Sequence, residues 1–147
     1  MNIPMRDGVG ASCVFLPLGK ESNYPSLLDF FLAKFPKVGA AVWQARFADG
    51  LVVDQAGQPA KPYAAYLGGQ HLYYFRHVKA EPHIPFDEVV LYQDEHLVVA
   101  DKPHFLPVTP SGRYVQETLL VRLKNKLGLP ELSPLHRLDR DTAGLVL

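Results

Sequence analysis

The chain has 147 residues, of which 48% are hydrophobic and 20% are charged. This composition is typical of one or two small globular domains and excludes a disordered polar chain. The 15 basic and 15 acidic residues cancel, so net charge alone does not indicate a nucleic-acid partner. The single cysteine, Cys13, excludes a disulfide framework, and no apolar run approaches the roughly 20 residues of a membrane span. Because no stretch resembles a signal peptide, we expect a cytoplasmic protein with no membrane partner.

The charges are distributed unevenly along the chain. Bases lead from Lys20 to Ala80, only acids occur from Glu81 to Asp101, and bases lead again from Lys102 onward. Two basic segments separated by an acidic one permit a polyanionic partner, but ordinary solvated surface charge explains the pattern equally well.

The first half of the chain predicts a compact unit of two short helices and a few short strands. Ser26 can cap the first helix, Pro36 with Gly39 ends it, and Gly50 closes the second helix. In chain order, the predicted segments are an N-terminal arm over residues 1–22, helices over residues 24–39 and 40–50, and strands near residues 51–54, 59–63 and 68–78. We therefore assign residues 23–79 to one small domain.

The second half predicts a hairpin, a proline-rich loop and an amphipathic helix, which follow a linker over residues 80–88. Two apolar strand segments flank the polar turn "QDEH", and Pro103 stops the second of them. The run "VQETLLVRLKNKLG", residues 115–128, has leucines at helical spacing and ends in Gly128. The terminal "GLVL" indicates the start of a buried strand. We assign residues 89–147 to a second domain and the whole chain to the α+β class.

The chemistry-bearing cluster is "SPLHRLDRDTAGLVL", residues 133–147, in which Asp139 lies between Arg137 and Arg140. Nearby positive charge favours the ionised carboxylate, so Asp139 would act as a nucleophile or base rather than as a proton donor. Arginine can hold phosphate through two parallel hydrogen bonds, so the cluster suits a phosphate-bearing substrate. A structural ion pair on a loop explains the same residues without any chemistry.

The string "HRLDRDTAGLVL" resembles the signature of the RluA-type pseudouridine synthases: His-Arg-Leu-Asp, then Arg or Lys, any residue, Thr, Ser or Ala, and Gly-Leu. Upstream, "VVLYQDEHLVVADKPHFLPVTPSG" resembles the opening hairpin and Lys-Pro loop of the family, and "ETLLVRLKNKL" falls where the family has a helix. Order and spacing agree from about Glu88 to Leu147. The resemblance implies that residues 89–147 are the first part of a mixed-sheet catalytic domain. Residues 23–79 resemble, more weakly, the S-four-type RNA-binding domain, although their second helix carries few bases.

The resemblance assigns a reaction to Asp139. It implies that this residue attacks the target uridine or abstracts a proton, so that the glycosidic bond breaks and the uracil is rejoined through carbon. Arg137 matches the arginine that fills the stack when the uridine is flipped out, a step required because a paired base hides its reacting atoms.

Four further matched residues have rival interpretations. Arg140 falls where the family has Arg or Lys and can contact an RNA phosphate, whereas a surface ion pair with Asp141 explains it equally well. Lys102 matches the lysine of the Lys-Pro loop and can contact RNA at the edge of the site, but support of the fold is the favoured interpretation. His136 and Thr142 are predicted to support the loop through hydrogen bonds.

The loop after Lys-Pro departs from the usual pattern. Family members have a string close to Ala-Gly-Leu-Pro-Val-His there, whereas this chain has His104, Phe105 and then Leu-Pro-Val-Thr. Phenylalanine does not easily adopt the positive φ angle that glycine can adopt, so we expect a differently shaped loop. Asp101 stands where Asn is common, and Ala143 stands where Ser is common.

The sequence therefore predicts an RNA pseudouridine synthase that acts on structured ribosomal or transfer RNA. We expect no organic cofactor and no metal, since the six histidines lack the spacing of ligands. A non-catalytic RNA-binding module is the alternative, although a pure binder does not need Asp139, and a metal-independent phosphate-ester hydrolase is a third.

Members of the family continue beyond this point, so we expect an incomplete, inactive fragment. Its terminal strand would find its neighbours beyond residue 147, and is expected to pair with another copy or to remain disordered.

Overall fold

The computed structural model describes residues 3–19, 23–76 and 80–147. In chain order the elements are β1 (Met5–Arg6), β2 (Val9–Gly10), β3 (Ser12–Phe15), α1 (Leu27–Lys34), α2 (Ala40–Ala48), β4 (Val52–Val53), β5 (His71–Tyr74), β6 (Val89–Gln93), β7 (Val98–Lys102), α3 (Leu119–Leu127) and β8 (Gly144–Val146). The described residues divide into two compact units, one holding most residues up to 76 and the other holding residues 80–147 with Asp7–Val9. The class is α+β, but the registered strand pairings of the two larger sheets are all antiparallel in the described ranges, so these sheets are not mixed.

The first unit contains a three-stranded sheet in the order β3-β5-β4. Its edge strand β3 comes from the segment that was predicted to be an N-terminal arm: Ser12 lies opposite Tyr74, and Phe15 lies opposite His71. Val14 is buried in the core of this unit, because alternate residues of a strand point to opposite faces. The predicted arm over residues 1–22 is therefore wrong for residues 12–15.

Aromatic side chains form much of the core of the first unit. Ser26 caps α1 by accepting a hydrogen bond from Asp29 N at 3.2 Å, which fixes where the helix begins. Phe31 of α1 then packs on Trp43 of α2 with ring centroids 4.5 Å apart. Trp43 and Tyr73 are fully buried, so neither ring is presented to a partner.

The second unit is built on the sheet β6-β7-β8. Asp94 closes the predicted hairpin, since its carboxylate accepts hydrogen bonds from His96 N at 2.8 Å and Leu97 N at 2.7 Å. β8 pairs antiparallel with β7, with Lys102 opposite Gly144. The expectation that the terminal strand finds its neighbours only beyond residue 147 is therefore wrong, because β7 is one of them.

Gly144 lets the chain pass closely over Leu138 as β8 begins. Its φ angle is 146°, and a Cβ placed there would lie 3.3 Å from Leu138 Cδ1. Leu138 packs against the core of the second unit, whose buried members are Ile84, Ala100, Leu106, Val108, Tyr114, Leu119, Leu123 and Val146.

α3 begins at Leu119, four residues later than the sequence predicted. Thr118 is its N-cap and accepts a hydrogen bond from Val121 N at 3.3 Å, while Gly128 ends the helix with a φ of 66°. The residues before Thr118 are not helical, because their amides point to Glu81. The Glu81 carboxylate accepts hydrogen bonds from the backbone nitrogens of residues 115, 116 and 117 at 2.5, 3.0 and 2.7 Å.

The predicted linker over residues 80–88 is bound to the second unit. Ile84 is buried in its core, and the guanidinium of Arg122 donates to Ile84 O at 2.7 Å and pairs with both Glu88 and Glu117. Burial opposes ionisation of Glu117, but hydrogen bonds from Ile84 N and Arg122 outweigh it and lower the pKa of Glu117. The linker assignment is therefore wrong: these contacts make the segment an integral part of the unit that carries Asp139.

Candidate functional site

The signature residues form a loop whose two ends are joined by hydrogen bonds. Leu135 N donates to Leu147 O at 2.8 Å, and Leu147 N donates to His136 Nε2 at 3.2 Å. His136 thus holds the loop through a ring nitrogen that carries no proton. Within the loop, Thr142 N donates to Asp139 O at 3.1 Å and closes a turn that displays Asp139. The exposed Thr142 hydroxyl makes no recorded hydrogen bond in the described ranges, so the backbone of Thr142, not its side chain, shapes this turn.

Asp139 and Arg137 are both exposed to solvent. The ion pairs recorded for the described residues include neither of them. Arg140 turns instead to Asp141, with Nε 2.8 Å from Oδ1, and the Asp141 carboxylate raises the pKa of Arg140 above its ordinary value. The predicted enclosure of Asp139 between two guanidinium groups is therefore not formed, and its carboxylate is left open to a substrate.

Lys102 is fully buried, with 0% of its surface exposed. Its ammonium donates hydrogen bonds to three main-chain oxygens, Pro103 O at 3.0 Å, Leu106 O at 2.8 Å and Arg140 O at 3.1 Å. Desolvation lowers the pKa of Lys102, although the charge of Asp141 opposes that shift. An ammonium without exposed surface does not meet an RNA phosphate, so this structure corrects the predicted RNA contact of Lys102 to a role in positioning the loop.

The two residues after Pro103, His104 and Phe105, belong to the same contact between the Lys-Pro loop and the Asp139 turn. His104 Nδ1 donates to Asp141 O at 2.7 Å, so Lys102 and His104 together bind two successive carbonyl oxygens, those of Arg140 and Asp141. Phe105 adopts a φ of 68°, the angle that glycine adopts easily. The expectation that phenylalanine would avoid this angle is wrong, and the surrounding contacts must offset a backbone strain of about 1–3 kcal/mol.

Two residues near the loop went unrecognised in the sequence. Arg113 Nη2 donates to the Tyr114 hydroxyl at 3.3 Å. This hydrogen bond, followed by the charges of Arg113 and Arg140, lowers the pKa of Tyr114 against the effect of burial. Two guanidinium groups therefore act on one hydroxyl, an arrangement that attracts anions. Arg113 carried no sequence signal except its charge.

Not every base of the second basic segment faces solvent. The Arg122 side chain is 14% exposed and is held by two carboxylates, and Lys126 Nζ lies 3.6 Å from Glu88 Oε1. The segment therefore offers an anion fewer cations than its sequence suggests, with Arg113, Arg137 and Arg140 the exposed arginines among them.

Two other kinds of site are absent from the described ranges. In them, no three His, Cys, Asp or Glu side chains come together as a bound metal ion would require. None of the helices of these ranges has both the length and the apolar content needed to cross a membrane.

A family model matches the part of the chain that contains the signature, and known proteins are similar to part or most of the chain. Residues 96–147 match the family described as RNA pseudouridylate synthase. An uncharacterised RNA pseudouridine synthase of Synechocystis sp. is 37% identical over 121 residues, which are 82% of this chain and 41% of that protein. RNA pseudouridine synthase 5 of Arabidopsis thaliana is 29% identical over 138 residues, covering 86% of this chain and 37% of that protein. The mitochondrial tRNA pseudouridine(32) synthase of Saccharomyces cerevisiae is 44% identical over 57 residues, covering 39% and 12%.

The chain thus spans about two fifths of the length of the first two relatives. The family match covers β7, α3, the loop of Asp139 and β8. By these matches, residues 96–147 of the chain belong to the RNA pseudouridylate synthase family.

Proposed function

We propose that the protein isomerises uridine to pseudouridine in structured RNA, with Asp139 as the catalytic residue. The observation that carries this proposal is an exposed carboxylate on a turn that is fixed by its backbone. Among the residues that the structure describes, no cation pairs with Asp139, while the neighbouring carbonyls of Arg140 and Asp141 are bound by Lys102 and His104. A reacting group that is free, but mounted on a rigid support, has the preorganisation that catalysis requires.

Polar side chains in and around the loop have distinct proposed roles. Asp139 attacks the uracil or removes a proton from the sugar, which breaks the glycosidic bond before the base is rejoined through carbon. Arg137 fills the space that the flipped uridine leaves in the RNA stack. Arg140 and Arg113, which both act on Tyr114, attract the RNA phosphates. Lys102 and His136 position the loop.

Ribosomal and transfer RNA are the proposed substrates. The printed name of the yeast relative specifies tRNA, which makes tRNA the first substrate to test. Cys13 forms no disulfide, which is compatible with a reducing compartment such as the cytoplasm.

A non-catalytic RNA-binding module is the second candidate, and it concerns the first unit. We propose that residues 23–79, of which 77–79 lie outside the described residues, correspond to an S-four-like domain, supported by the two helices and short strands of residues 23–76. The charge of α2 gives weaker support for RNA binding. Its only base, Arg46, lies over the Trp43 ring at 4.6 Å and near the Tyr74 ring at 5.7 Å. This packing already engages the cation.

The test of the proposed function is a map of pseudouridine in total RNA from cells with and without the gene. One or more sites should disappear with the gene and return with the wild-type gene, but not with Asp139→Asn. Glu131→Gln is the matched control, because it removes an exposed charge from the loop after α3 and should restore the sites fully. Restoration by Asp139→Asn would refute the catalytic role, and an unchanged map would refute the proposed function.

A further inference from the structure

An open cavity of about 260 Å³ lies against the segment that holds the Asp139 turn. One side of it consists of two aromatic rings, Phe86 before β6 and Phe105 after β7, whose centroids are 6.1 Å apart. Both side chains are about half exposed, at 48% and 49%. Pro103 and Ala143 also line the cavity, which places it at the end of the signature.

The two rings are held in place by their backbones. Phe86 O accepts a hydrogen bond from Arg122 Nη1 at 2.7 Å, and Arg122 is itself fixed by its carboxylate partners. Phe105 lies in the short segment that is closed by the hydrogen bond from Lys102 Nζ to Leu106 O. Its φ angle is positive. A strained phenylalanine that remains half exposed recovers little free energy by burial. Strain of this kind concentrates at binding sites.

Charge decides which part of a nucleic acid would fit the cavity. Asp87 and Asp101 line it, and neither carboxylate has a recorded hydrogen bond or ion pair in the described ranges. Two free carboxylates repel a phosphate, but they accept hydrogen bonds from amino groups, as acidic side chains accept from the amino group of cytosine. Aromatic rings meanwhile stack on the face of any base. Rings and carboxylates together suit a base that carries an amino group.

We propose that the Phe86–Phe105 cavity binds an unpaired nucleobase with an exocyclic amino group, next to the uridine that reacts at Asp139. The base stacks on the rings and donates its amino hydrogens to Asp87 or Asp101. Four of the positions where the chain departs from the usual family pattern line this cavity: Asp101, His104, Phe105 and Ala143. The cavity therefore reads the sequence context of the target uridine. This inference rests on the proposed function for its location in an RNA complex.

The experiment measures binding of the purified chain to single-stranded oligo(C), oligo(A) and oligo(U) of equal length by fluorescence anisotropy. Uracil carries no exocyclic amino group, so oligo(C) and oligo(A) should bind roughly tenfold more tightly than oligo(U). Removing one stacked base contact by Phe105→Gly or Phe86→Ala should weaken oligo(C) binding about 5- to 150-fold. Glycine adopts the positive φ of residue 105 without strain, so this variant keeps the loop. Asp101→Asn combined with Asp87→Asn should abolish the preference for oligo(C) over oligo(U).

Leu91→Ala is the matched control, since it removes a 57% exposed apolar side chain from β6 that does not line the cavity, and it should leave every Kd unchanged. Equal Kd values for the wild type and Phe105→Gly would overturn the inference. An equal loss for oligo(U) would also overturn it, because the cavity would then be a general apolar contact. Binding of an apolar peptide in place of any oligonucleotide would assign the cavity to a protein partner. Because no turnover is measured, each of these results leaves the proposed isomerisation to be tested by the pseudouridine map.

Discussion

Replacement of Lys102 by methionine tests whether the buried ammonium holds the Asp139 turn. Methionine has a similar length and fills the same space, so the variant removes the three hydrogen bonds without opening a large cavity. The backbone oxygens of Pro103, Leu106 and Arg140 lose their donor.

The expected loss of stability follows from the surroundings of the three oxygens. The bond to Leu106 O is buried, and leaving that acceptor unpaired costs about 1–3 kcal/mol. The other two bonds are partly buried, so water can replace the ammonium there at about 0.5–1 kcal/mol each. The variant also removes the free-energy cost of burying a charge, which is reflected in the lowered pKa of Lys102. This gain offsets part of the loss. The net destabilisation should be about 2 kcal/mol, with the melting temperature falling by about 5–10 °C.

The measurement is chemical denaturation of wild type and Lys102→Met, followed by the pseudouridine map for the same variant. Lys37→Met is the matched control: Lys37 is exposed, and its loss should change the free energy of unfolding by less than about 0.5 kcal/mol. Because the folded-state pKa of Lys102 is lowered, the unfolded chain binds more protons at alkaline pH. The advantage of wild type should therefore grow as the pH rises toward about 10.4. A Lys102→Met variant as stable as Lys37→Met would refute the positioning role.

Three further predictions concern charge. Glu81→Gln leaves one oxygen to accept from three backbone amides, so the free energy of unfolding in urea should fall by about 1–3 kcal/mol. An unchanged urea midpoint would contradict the role of Glu81 in holding these amides. The lowered pKa of Glu117 stabilises the fold above the ordinary glutamate pKa of about 4.3 and is lost as the pH falls through the folded-state value. Thermal melts from pH 6 to about pH 3 should therefore converge for wild type and Glu117→Gln at the acid end, and parallel curves would exclude this linkage. If Arg113, Arg137 and Arg140 supply the phosphate contacts, the log–log salt slope of RNA binding should be about −2 to −3, and a flat response would show that they do not face RNA.

Local signals in the sequence predicted the elements well. Ser26, Pro103 and Gly128 mark boundaries that the structure keeps, because capping, a missing amide hydrogen and a left-handed φ act within a few residues. The α3 start was displaced because Thr118 competes as a cap and Glu81 takes the preceding amides. That carboxylate lies 34 residues from the first amide that it binds, and no local pattern encodes such a contact.

The candidate site was predictable in part for the same reason. The signature marks Asp139, but adjacency in sequence did not predict the charge contacts, since side chains on a tight turn diverge and Arg140 finds Asp141 instead. For Lys102 the sequence favoured support of the fold over an RNA contact, but nothing local indicates that its ammonium would be buried among main-chain oxygens.

The hydrogen bonds that hold the Asp139 turn bind its backbone and do not depend on the identity of its side chains. Lys102 and His104 bind carbonyl oxygens at positions 140 and 141, and the turn itself is closed by the amide at position 142, groups that almost every amino acid provides. Exchange of the side chains at 140 and 141 therefore leaves the support of Asp139 in place, with proline at 142 excluded because it has no amide hydrogen. Substitutions at positions 140 and 141 can therefore change the groups that face the RNA while the Asp139 carboxylate keeps its position.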